Sequence, residues 1–183
     1  MAKSAVKRDS FQEYIAATRS VWEDGKDPQL PFKIKGLMEN LLTSTSPDEP
    51  WMAQLIREAK PIRELHRDPD YGFIQMGHVQ PEGLFHSPHD HGPCWVVYGA
   101  YSGISDITLY QRVDDGKESG RAVLKERQVH RLSRGVVHPY LVGDIHSTRA
   151  VEGPAVIFRF LSYDLEKVMR YRYNLEKETI SLV

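Results

Sequence analysis

The sequence predicts a mainly β domain, a barrel or jelly roll with α-helices ahead of it. Two observations carry this. Apolar residues recur at helical spacing as far as Pro61 and with a two-residue period after Asp70. From there, turn residues fall roughly every ten positions between short apolar stretches, the pattern of a closed all-β fold. The 183 residues, 40% hydrophobic and 27% charged, are enough for one domain with its own core. Residues 1–61 are read as a helical segment and 70–183 as the barrel of a single domain, 1–183.

Ser10-Phe11-Gln12-Glu13 has the form of a capping box, with Ser10 as N-cap. Phe11, Ile15, Thr18 and Trp22 follow on one helical face, and Asp24-Gly25 closes the helix. A second helix starts near Pro31, with Ile34, Leu37, Met38, Leu41 and Leu42 as its apolar stripe. Ser46-Pro47-Asp48-Glu49-Pro50 opens a third, from Trp51 to about Lys60, ended by Pro61. Strands are expected over Tyr71–Val79, Cys94–Tyr101, Ile104–Val113, Arg121–Leu132, Val136–Val142, Ile145–Val151 and Pro154–Tyr163. The polar run 114–120 is a hairpin loop, and the alternating tail Met169–Tyr173 adds to the sheet.

A net charge of -1 and the lack of any Lys/Arg run argue against nucleic acid as a partner. No apolar stretch approaches the ~20 residues of a membrane span. The charged start, Met1 to Asp9, has no signal-peptide core. One cysteine allows no internal disulfide. These features lead to the expectation of a cytoplasmic protein acting on a small molecule. A homodimer is open to it, through the apolar helices or an exposed sheet edge.

Three histidines decide the functional reading. In Gly83-Leu84-Phe85-His86-Ser87-Pro88-His89-Asp90-His91, a strand would aim His89 and His91 at one point, since residues i and i+2 share a face. Gly143-Asp144-Ile145-His146 supplies a third imidazole after a glycine turn. Three neutral imidazoles leave open coordination positions, which a catalytic metal needs. The bland alternative is two solvated loop histidines and one core histidine. His86 and His138 lie near enough to these stretches to support the ligands; His66, His78 and His130 rank below them.

The spacing resembles the two motifs of the cupin family of double-stranded β-helix proteins. The first runs Gly83, five residues, His89-Asp90-His91, four residues, Val96, six residues, Gly103. The second runs Gly135, five residues, Leu141-Val142-Gly143, two residues, His146. Val96 stands where many cupins carry a carboxylate ligand, so the implied first set of ligands is three imidazoles alone. Such a site keeps the full charge of its metal and favours anionic ligands, a thiolate included. Within the cupins, the chain is similar to the thiol dioxygenase branch, cysteine dioxygenase and its bacterial relatives. The similarity rests on Arg67-Asp68-Pro69-Asp70, Pro88-His89-Asp90-His91-Gly92 and Gly143-Asp144-Ile145-His146. It implies O2-dependent oxidation of a thiol to a sulfinate on Fe(II), although imidazole ligands suit Zn, Ni and Cu equally.

That branch carries a Ser-x-His-x-Tyr stretch on a late strand, where this chain has Ile157, Arg159 and Leu161. The cysteine that cross-links to the tyrosine in animal enzymes aligns with Val96, not Cys94. Tyr163 could take the tyrosine's place if the register shifted. Arg159 points away from the apolar layer of Val156, Phe158 and Phe160. It is therefore either a carboxylate anchor inside the barrel or a surface arginine. Cys94 is either a thiol at the pocket mouth or a small buried apolar residue. The candidate site is thus His89, His91 and His146 as metal ligands, with Arg159, Tyr163 and Cys94 in catalytic roles. The function expected is a dioxygenase of a small thiol or carboxylate-bearing substrate. The alternatives are a non-redox metal enzyme (isomerase, lyase or hydrolase) and a small-ligand binding or sensor module.

Overall fold

A computed structural model describes residues 9–183; residues 1–8, which hold nearly all of the charged start, lie outside them. Helix α1 spans Ser10–Trp22, α2 Leu30–Ser44 and α3 Pro50–Glu58. The N-cap of α1 is Asp9, whose carboxylate accepts from the Gln12 N–H, and not Ser10. Ser10 is buried in the first turn, with its hydroxyl bonded to Glu49 and Thr45 at 2.7 and 2.9 Å. It ties α1 to the loop between α2 and α3. The expected stripe of Phe11, Ile15, Thr18 and Trp22 is buried, as is Tyr14.

The strands are β1 Arg63–Arg67, β2 Ile74–Gln80, β3 Phe85–His89, β4 Val96–Arg112, β5 Leu124–Leu132, β6 Val137–Tyr140, β7 Ile145–Leu161, β8 Tyr171–Asn174 and β9 Thr179–Leu182. They form one antiparallel sheet of nine strands. Two long strands organise it. β4 and β7 pair from Val96↔Leu161 through to Tyr110↔Ile145, with irregular register between Ala100 and Ser105. Each of these is expected from the sequence as two strands, Cys94–Tyr101 with Ile104–Val113 and Ile145–Val151 with Pro154–Tyr163. The chain bends at those places without leaving the sheet. Gly103 lies in the bend at φ 72°, where a Cβ would come within 2.6 Å of the Glu152 carbonyl oxygen and Ala155 Cα. Cys94 and Trp95 precede β4, and Tyr71 to Phe73 precede β2. The first strand begins at Arg63, ahead of the expected residue 70. The tail makes a hairpin, β8 with β9, in place of the single expected strand.

Alternation assigns the two sides of the sheet. Phe73, Val79, Val97, Val156, Phe158 and Phe160 face the helices and pack with Trp22, Leu30, Ile34, Met38, Met52 and Leu55. Trp22 lies 4.8 Å from Phe73 and 5.8 Å from Phe160, ring centre to ring centre. Each such side chain contributes about 1.5–3 kcal/mol on leaving water. The apolar helix stripes are therefore covered by the chain's own sheet. The other side of the sheet, Ile74, Val96, Tyr98, Ile107, Leu109, Ile157 and Leu161, lines the barrel interior. Among the described residues, no helix is long and apolar enough to cross a membrane.

Candidate metal centre

His89 is the last residue of β3, and its cross-strand partner in β7 is His146. Leu109 of β4 flanks His146 on the other side. The expected strand carries only His89 of the pair; His91 lies beyond it, in a turn. Asp90 holds that turn. Its carboxylate accepts from the Gly92 N–H at 3.0 Å, the Tyr171 N–H at 3.1 Å and the Tyr173 hydroxyl at 2.9 Å. Gly92 has φ 57°, and a Cβ there would lie 2.2 Å from the Met169 carbonyl oxygen. The tail thus grips the residue between two of the candidate ligands.

The three imidazole rings form a near-regular triangle, with centres 5.1, 4.8 and 4.9 Å apart. Potential ligand atoms from His89, His91 and His146 all lie within 4.8 Å of one another. Nitrogens about 2.0–2.1 Å from one ion are roughly 3 Å apart, so small side-chain rotations suffice to close the set. His89 Nδ1 donates to the Ser87 carbonyl at 2.8 Å, which leaves Nε2 with a free lone pair. His91 Nε2 and both ring nitrogens of His146 are buried without a hydrogen-bond partner. Buried polar atoms are rarely left so, and a metal would satisfy one nitrogen on each of these rings. Burial, with Arg159 nearby, pushes His89 down to about 4 and holds His91 and His146 well below the usual histidine range. Neutral imidazole is the form that coordinates. The donor set fits a divalent ion. Val96 is fully buried in the barrel interior and supplies no carboxylate.

A cavity of about 510 Å³ opens onto His89, with Met76, His78, Tyr98, Leu161, Arg159 and Arg170 in its walls. Arg159 shares the interior side of β7 with Ile157 and Leu161, opposite the helix-facing Phe158 and Phe160. The Nε atoms of Arg159 and Arg170 are buried without a partner. By contrast, Arg67 at the same cavity is bonded to Glu64 and Asp164, each at 2.7 Å. The cavity therefore carries uncompensated cationic donors beside the imidazoles.

The other two catalytic candidates lie elsewhere. Tyr163 is past the end of β7, exposed, and would meet a side chain placed at Gly72. Cys94 is buried in the apolar interior beside Ser162, and burial pushes its thiol up from the usual range. Neither belongs to the cavity wall. His86 does, whereas His138 stacks on His130 at 4.2 Å on a different part of the barrel. Two residues carry more than the sequence suggests. Asp90 sits inside the His-Asp-His motif, and its position between two ligands was a usable signal. His78 had no local signal.

No protein-family model matches the chain, and no curated protein matches it. Solved structures do. KdgF from Halomonas sp. is 18% identical, with 58% of this chain and 83% of that one covered and a TM-score of 0.42. The Cnp3 cupin domain of Schizosaccharomyces pombe is 12% identical over 58% of this chain and 62% of that one, TM-score 0.43. L-ribose isomerase from Cellulomonas parahominis, solved with L-ribose, is 16% identical over 56% and 60%, TM-score 0.44. Cupin and double-stranded β-helix proteins are thus among the structural neighbours.

Proposed function

We propose that this chain is a metal-dependent oxidoreductase that oxidises a small thiol carboxylate with O2. In the overall reaction RS⁻ and O2 become RSO2⁻, with both oxygen atoms ending on sulfur. One observation carries the reading. Three neutral imidazoles with free nitrogens cluster where His89 meets a cavity, and the cavity wall carries an arginine with no carboxylate partner among the described residues.

Bound Fe(II) would supply the redox centre, held by His89, His91 and His146. The remaining roles fall to the protein. The all-imidazole set leaves the ion's charge undiminished, which favours an anionic sulfur over a neutral one. Arg159 offers a planar fork that pairs with a carboxylate through two hydrogen bonds. Met76, Tyr98 and Leu161 give the cavity apolar walls that limit water near the reacting atoms. The small substrate and O2 are the partners this reading requires.

The test is O2 uptake by iron-loaded protein with cysteine, 3-mercaptopropionate and cysteamine, with sulfinate followed by mass spectrometry. Uptake matched by sulfinate, with KM raised at least tenfold in Arg159→Met, is the expected result. No uptake with any thiol would overturn the reading. Ile157 and Leu161, where thiol dioxygenases carry hydrogen-bonding residues, favour a second reading, a non-redox metal site. Equal activity with Zn and Fe would select it.

A further inference from the structure

His78 lies on β2, on the same side as Ile74 and Met76, with its ring in the cavity wall near Arg159. Met76 is the cross-strand partner of Arg159, so His78 is the diagonal neighbour of that arginine on one interior face. Its Nδ1 is 2.9 Å from the Pro61 carbonyl. A carbonyl only accepts, so Nδ1 carries the hydrogen. In the neutral ring Nε2 is then a bare acceptor, and it is buried without a partner. Burial and the Arg159 charge hold the ring neutral, with its pKa down to about 3.

An orphan acceptor beside an orphan guanidinium fits a ligand that carries both a carboxylate and a hydrogen-bond donor. The donor's charge is constrained as well. The cavity wall holds four arginines and the carboxylates of Glu64, Asp164 and Glu166, so the charge nearest His78 decides. That charge is Arg159, which no ion pair engages among the described residues. An ammonium at Nε2 would stand against it, whereas a hydroxyl would not. The same charge disfavours a second metal ion at His78, which stands outside the ligating cluster.

We propose that His78 determines specificity by accepting, through Nε2, a hydrogen bond from a hydroxyl on a small hydroxycarboxylate whose carboxylate pairs with Arg159. This rests on the reading of the cavity as a thiol carboxylate site and names the substrate class within it, a thiol that bears both groups.

The test is calorimetric titration of zinc-loaded protein, where no turnover occurs, with 3-mercaptolactate, 3-mercaptopropionate and cysteine. The wild type should bind 3-mercaptolactate about tenfold or more tightly than the other two, the worth of one hydrogen bond to a buried acceptor. The preference should vanish in His78→Leu and return in part in His78→Gln, which restores an acceptor. Retained zinc binding in both variants shows that they are folded. Equal affinities in the wild type, or a preference unchanged in His78→Leu, would overturn the proposal. If no thiol binds, the thiol reading fails, and lactate against propionate by ligand-observed NMR decides the role of His78 alone. A lactate preference lost in His78→Leu would sustain it, and none would overturn it.

Discussion

Removing the Asp90 carboxylate should damage stability and metal binding together. Three donors converge on it: the N–H groups of Gly92 and Tyr171 and the Tyr173 hydroxyl. Bonds to a carboxylate are worth about 1.5–3 kcal/mol each, but three that share one acceptor do not add. Asp90→Ala also strands the donors in a largely buried place. A loss of about 3–5 kcal/mol follows, near the upper end for point mutants. In a chain of this size that lowers Tm by roughly 6–20 °C. His89 and His91 flank Asp90, so metal affinity should fall about 10- to 100-fold, as when an outer partner of a ligand is lost. Asp90→Asn keeps an acceptor for both N–H groups and should lose only about 1–2 kcal/mol. The assays are urea unfolding of metal-free protein and zinc titration. A double-mutant cycle with Tyr173→Phe isolates the hydroxyl bond. An Asp90→Ala variant within about 0.5 kcal/mol of wild type would refute the clamp. Lost stability with unchanged zinc affinity would refute its link to the ligands.

Gly92→Ala meets both a positive φ of 57° and the Met169 carbonyl oxygen 2.2 Å from the new Cβ, so it should move the β8 segment and weaken zinc binding. A zinc affinity equal to wild type would contradict that. Beside the shares of His89, His91 and His146, part of the pH dependence of metal-free protein comes from His78, which titrates near 6.5 when unfolded and is pushed down to about 3 when folded. The unfolded chain binds the proton first, so this contribution is complete above 6.5 and is lost as pH falls toward 3. At pH 5 the loss is about 2 kcal/mol, and His78→Leu should flatten the slope of urea-derived stability between pH 7 and 5. An identical slope in the variant would contradict the assignment.

Much of this molecule was legible in the sequence. The helical stripes of α1 and α2 reappear as buried faces because amphipathic spacing answers directly to a covering sheet. The three histidines converge because two glycine-led stretches place His89 and His146 on paired strands, with His91 in the turn that follows. Other parts were hidden for physical reasons. β1, Arg63-Glu64-Leu65-His66-Arg67, is an edge strand held by its backbone and shows no apolar alternation. β3 is polar because it faces the cavity, so no period betrayed it. Gly103 falls between two expected strands but is a bend in one continuous strand. Alternation separated Arg159 from Phe158 and Phe160, but only the helices packed on the phenylalanines decide which side is interior. The orientation of His78 depends on the Pro61 carbonyl, seventeen residues away, which no local pattern reports.

Metal content of the purified protein, with calorimetric titration by Fe(II), Zn and Ni, bears most directly on the three-imidazole centre. One ion per chain is expected in the wild type. At a hundredfold excess over Kd, that ion should add about 2.7 kcal/mol, or roughly 5–11 °C in Tm. Binding and stabilisation should both disappear in His89→Ala, His91→Ala and His146→Ala. A wild type that takes up none of these ions, or single variants that bind them unchanged, would contradict the account.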